Sequence, residues 1–109
     1  MKLVRDRIPE LATSNGQPGA FYQADPDEFG RLLRAKLLEE AAEAASASPD
    51  GLLEELGNVL QVLYALASQA GYSPAEIECA RARKARTTGA FTCRVVWHDP
   101  PSREDGTHE

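Results

Sequence analysis

The chain reads as an all-α protein, an antiparallel helical bundle with a minor extended segment near its C-terminus. Three observations point there. Alanine and leucine supply most of an apolar fraction of 42%, whereas aromatics make up only 6%, a balance that favours packed helices over stacked sheets. Apolar residues recur at three- and four-residue steps over two long stretches. Helix-starting and helix-stopping residues flank those stretches.

The first element is short. Ile8-Pro9-Glu10-Leu11 starts a helix with proline in the first turn, and Asn15-Gly16 stops it. Residues 17–26 form a connector carrying Pro18, Gly19 and Pro26, with Phe21 and Tyr22 expected to tuck against the core. A long helix begins near Asp27, capped by Asp25 or Asp27. Its inward face is Phe29, Leu32, Leu33, Leu37, Ala41 and Ala44. Ser46 to Gly51 breaks it. A second long helix, from about Asp50 to Ala70, has an apolar stripe running from Leu52 to Ala70, widened by Val62 and Tyr64. Such a helix is expected to be buried on most sides, centrally or in a dimer interface. Gly71 closes it. Ser73-Pro74-Ala75-Glu76 starts another helix, whose cations Arg81, Arg83, Lys84 and Arg86 suit a C-terminal half. Thr87-Thr88-Gly89 ends it. Phe91 to Trp97 reads as extended, with Phe91, Cys93, Val95 and Trp97 on one side. Residues 1–98 are read as a single domain, and 99–109 as a disordered polar tail.

The net charge of −5 disfavours binding to nucleic acid polymers or anionic membranes, which need a basic footprint. The opening Met-Lys-Leu-Val-Arg-Asp-Arg places charges where a secretory leader needs an apolar stretch. No apolar run approaches the about 18 residues of a membrane span. A cytoplasmic protein is the expectation. Cys79 and Cys93 have no zinc or disulfide-framework spacing and read as buried small hydrophobes. Tyr64 and Trp97 read as core or interface packing residues, with stacking on a base as the alternative. His98 and His108 lie at or in the polar tail and are not taken as ligands.

The chemistry is concentrated in acids. Glu39-Glu40-Ala41-Ala42-Glu43 lies on the first long helix and Glu54-Glu55-Leu56-Gly57-Asn58 on the second. Glu40 and Glu43 are i, i+3 neighbours, as are Glu55 and Asn58. A short loop makes the two helices antiparallel neighbours, so the two pairs can face one another. Glutamates on a helix commonly make only a solvated face. Here Glu40 and Glu43 share a helix side with Leu33 and Leu37, and Glu55 opens a strongly apolar helix. Magnesium takes hard oxygen ligands while keeping waters and sites open for phosphate oxygens. Crowded carboxylates repel, and a cation relieves that repulsion.

The Glu-Glu-x-x-Glu run followed by Glu-Glu-Leu-Gly-Asn-Val resembles the MazG-like and phosphoribosyl-ATP pyrophosphohydrolase-like all-α nucleotide pyrophosphohydrolases. The opening Lys2-Leu3-Val4-Arg5-Asp6-Arg7-Ile8-Pro9-Glu10 resembles a short, single-domain branch of that group. Ala24-Asp25-Pro26, Tyr64-Ala65-Leu66-Ala67 and Lys84…Gly89-Ala90-Phe91 also fit. The resemblance spans about residues 2–97. It implies a helical dimer or tetramer, bound magnesium (or manganese) and cleavage of a nucleotide between its α- and β-phosphates. The products are a monophosphate and pyrophosphate. It implies Glu40, Glu43 and Glu55 as metal ligands, with Asn58 completing the set. Glu39 becomes a ligand or the base that orients the attacking water, so that Glu39, Glu40, Glu43 and Glu55 make up the catalytic group. Lys36, Lys84, Arg5 and Arg7 become phosphate contacts. Arg5, Asp6 and Arg7 can equally be ion pairs that pin the N-terminus.

Two positions depart from the family's pattern. Asn58 stands where aspartate is usual, and an amide oxygen can coordinate magnesium but without the charge. Thr88 precedes Gly89-Ala90-Phe91 where arginine is usual. These departures motivate a second reading, a degenerate non-catalytic nucleotide- or metal-binding helical dimer. A third is a bare dimerisation domain. The sequence selects no particular base or sugar.

Overall fold

The computed structural model describes residues 1–17 and 19–102; Pro18 and much of the expected polar tail (residues 103–109, with His108) lie outside the described residues. The chain is helical, with α1 (Ile8–Ser14), α2 (Pro26–Ser46), α3 (Pro49–Gln69) and α4 (Pro74–Thr88). The all-α expectation holds. The described residues contain no strand, so Phe91 to Trp97, expected to extend along one side, is a turn followed by irregular chain. The side chains explain this: Phe91, Val95 and Val96 are almost wholly exposed, and no second strand pairs with them. Cys79 and Cys93, expected to be buried, are also exposed.

Two compact units divide the chain, Met1–Ser73 and Pro74–Glu109. The first is a helical hairpin with an N-terminal segment. Asp25 caps α2, its carboxylate accepting the Glu28 backbone N–H at 2.9 Å, while Pro26 occupies the first turn. Ala47 and Ser48 turn the chain, and Pro49 opens α3. Past its end, Gly71 adopts φ +92°, a left-handed conformation that closes the helix.

The hairpin is antiparallel. At one end, Gln69 near the close of α3 donates from Nε2 to the Pro26 carbonyl at the start of α2, 2.7 Å away. Gly30 is buried there, and a Cβ on it would lie 2.9 Å from Gln69 Oε1. At the other end, Glu40 and Glu43 of α2 meet Glu55 of α3. The apolar residues buried between are Leu33 and Val62. The sequence reading had α3 covered on most sides, but Val62 is its one buried residue. Leu53, Leu56, Leu60, Leu63 and Tyr64 form an exposed stripe, because α2 is the one helix packed against α3 in this unit. Phe21 and Tyr22 do not tuck into a core either. Both are exposed, and Tyr22 instead donates its hydroxyl to Glu28 at 2.8 Å.

The second unit holds α4, which has no buried residue. Arg81 and Glu78 pair along it at 2.6 Å, and Gly89 ends it with φ +87°. Among the described residues, no helix is long and apolar enough to cross a membrane.

Candidate metal centre

The hairpin geometry brings together three acids from two helices. Glu40 and Glu43 lie one turn apart on α2, and Glu55 stands in the second turn of α3. One carboxylate oxygen from each lies within 4.8 Å of the others. Glu40 is 9% exposed, and its Oε2 is buried with no hydrogen-bond partner among the described residues. A buried carboxylate oxygen left unpaired is costly, and the three acids together offer oxygen donors that could hold a cation. Three carboxylates are also the hard-oxygen donor set that magnesium and manganese take.

The acids also act on one another's charge. The Glu43 carboxyl is pushed above the ordinary range, first because it lies within hydrogen-bonding reach of Glu40, then through Glu40's charge, partial desolvation and the charges of Glu55 and Glu39. A cation, Lys36, stands at the cluster's edge. Lys36 Nζ lies 3.6 Å from Glu40 Oε1 and 3.4 Å from Glu39 Oε2. Glu39 takes a different place from the other three. Partial desolvation works against its charge, but Lys36 and Lys2, the latter at 3.4 Å, more than offset that and hold its carboxyl below the usual range.

Beside the cluster runs a groove of about 510 Å³, within the size range of small-molecule sites. Phe29, Leu33 and Val62 give it apolar walls, and the N-terminal segment closes one side. Arg5, Arg7, Lys36, Glu40 and Asn58 all line it. Arg5 donates to Asn58 Oδ1 at 2.9 Å, and Asn58 Nδ2 donates to Glu55 Oε2 at 3.4 Å. Arg7 pairs locally with Glu10 at 2.7 Å. Eight of the nine residues singled out from sequence thus belong to the first unit. Lys84 belongs to the second, where it is exposed.

The chain is 44% identical over 54 residues to an uncharacterized protein of Mycolicibacterium smegmatis (strain ATCC 700084 / mc(2)155). The match takes in 49% of this chain and 55% of that protein, so it spans little more than half the relative's length. No protein-family model matches the chain, and no solved structure does.

Sequence reasoning missed Lys2. Nothing in its local pattern marks it, since its partner Glu39 lies far along the chain on α2. The Arg5–Asn58 link was equally hidden, because 53 residues separate the partners.

Proposed function

We propose that this chain is a metal-dependent nucleotide pyrophosphohydrolase of the MazG-like kind. It would cleave a nucleoside triphosphate, or a related nucleotide, between the α- and β-phosphates to give a monophosphate and pyrophosphate. The observation that carries the reading is the buried, unpartnered Oε2 of Glu40 beside Glu43 and Glu55.

Glu40, Glu43 and Glu55 would hold magnesium, or manganese in its place. When bound, such an ion neutralises phosphate charge and makes a coordinated water more acidic. The chain's own residues would do the rest. Arg5, Arg7 and Lys36 offer donors along the groove to phosphate oxygens, the arginines with a fork that matches them. Glu39 is kept ionised by Lys2 and Lys36, so it would orient an attacking water by accepting a hydrogen bond from it. The apolar walls of the groove offer a dry surface to a base or sugar. Lys84 stands as a further phosphate contact by the sequence resemblance alone. The acting form would be a cytoplasmic homodimer or homotetramer.

The test is pyrophosphate release from a panel of ribo- and deoxynucleoside triphosphates, with magnesium or manganese and with a chelator control. Release is expected for some members, abolished by the chelator and by Glu40→Gln or Glu43→Gln. Well-folded protein silent on the whole panel, and on phosphoribosyl-ATP, would sink the proposal. Asn58 favours one other reading, a degenerate non-catalytic nucleotide- or metal-binding module, because its carbonyl oxygen already accepts from Arg5. That reading predicts metal binding without turnover.

A further inference from the structure

The amide of Asn58 is engaged on both sides. Arg5 Nη2 donates to its Oδ1 at 2.9 Å, and its Nδ2 donates to Glu55 Oε2 at 3.4 Å. A guanidinium carries only donors and an ionised carboxylate only acceptors. The two partners therefore fix the amide's orientation. Turned over, the amide would face nitrogen to nitrogen and oxygen to oxygen.

From this geometry we infer that Asn58 is a positioning residue: it ties Arg5 of the N-terminal segment to Glu55 and thereby holds the Glu55 carboxylate in place beside Glu40 and Glu43. This rests on reading the three acids as a metal site. Asn58 is then a bracket for one ligand and not a fourth ligand. Asparagine suits the bracket for a definite reason. Aspartate could still accept from Arg5, but it would present an acceptor and a like charge to Glu55 in place of a donor. Arg5 and Asn58 also line the groove with Glu40. The bracket therefore joins the wall where phosphate would bind to the acids that would hold the ion.

The experiment measures manganese affinity of the full chain, native and with Asn58→Leu, Asn58→Asp, Arg5→Met and the Arg5→Met/Asn58→Leu pair. Residues that orient a metal ligand are worth about 10- to 100-fold in affinity. Asn58→Leu should weaken binding by about tenfold, while the melting temperature without metal stays close to native. Asn58→Asp should bind no more tightly than native. The fold-change produced by Arg5→Met should shrink in the Asn58→Leu background, since the link is already gone. Tighter manganese binding by Asn58→Asp, or an equal effect of Arg5→Met in both backgrounds, would overturn the bracket. A second readout needs no metal. The side-chain amide signals of Asn58 in a ¹⁵N–¹H spectrum should move with Arg5→Met and with Glu55→Met, and signals that ignore both would overturn it as well. A native chain that binds no manganese, but whose Asn58 signals respond to both changes, would sink the metal reading and uphold the Arg5–Asn58–Glu55 link.

Discussion

Glu43 carries the clearest consequence of three acids placed together. Its carboxyl is raised above the ordinary value of 4.5, chiefly by Glu40. The folded chain therefore holds that proton more tightly than the unfolded chain does. The stability this lends is fully present below the unfolded pKa of 4.5 and is lost as pH rises through the raised value. Without metal, the melting temperature of the native chain should fall relative to Glu43→Gln as pH goes from about 4 to about 7. Differential scanning fluorimetry of both proteins measures this, and parallel curves would contradict it. Magnesium at neutral pH should then raise the native melting temperature and raise that of Glu43→Gln much less. The identity of these acids was legible in sequence, since i, i+3 spacing puts Glu40 and Glu43 on one helix side. The unpaired buried oxygen of Glu40 was not, because burial depends on how α2 packs against the rest of its unit.

Helix ends and helix contacts answer to different rules. Asp25 is a local device: its side chain caps a backbone N–H three residues on, which is why the sequence could propose it. Asp25→Ala should cost about 1 kcal/mol in a urea melt. Gly30 is a tertiary device. An alanine Cβ there would press on Gln69 Oε1 and disturb the Gln69–Pro26 hydrogen bond. The loss of that bond, about 1 kcal/mol, opposes the helix gain of alanine over glycine, also about 1 kcal/mol. Gly30→Ala alone should therefore change stability little. In a Gln69→Ala background the same change should stabilise by about 1 kcal/mol, because the obstacle is gone. Nothing in the local sequence of α2 signals this, since Gly30 and Gln69 are 39 positions apart and meet only when the hairpin closes. The C-terminal stretch shows the opposite lesson. Phe91, Cys93, Val95 and Trp97 alternate as a strand would, but alternation makes a strand only where a partner supplies hydrogen bonds.

At the scale of the molecule, the apolar stripe of α3 is the unmatched feature. Leu53 is 81% exposed, and Leu56, Leu60, Leu63 and Tyr64 continue the row. A contiguous apolar row on a helix is the usual mark of a surface that associates. The homodimer proposed above would bury it. Sedimentation equilibrium should then give at least twice the chain mass of 11.8 kDa, and Leu56→Glu with Leu60→Glu should return it to a monomer. A native monomer at the same concentrations would remove the dimer.

The sequence by itself determined the helices, their stops and the acids that share a face, because each depends on residues a few positions apart. Tertiary structure alone decided which acid is buried, that Lys2 reaches Glu39, and that Asn58 stands between Arg5 and Glu55. Those facts depend on the antiparallel closing of α2 on α3 and on the N-terminal segment laid alongside, contacts whose partners lie tens of residues apart in the chain.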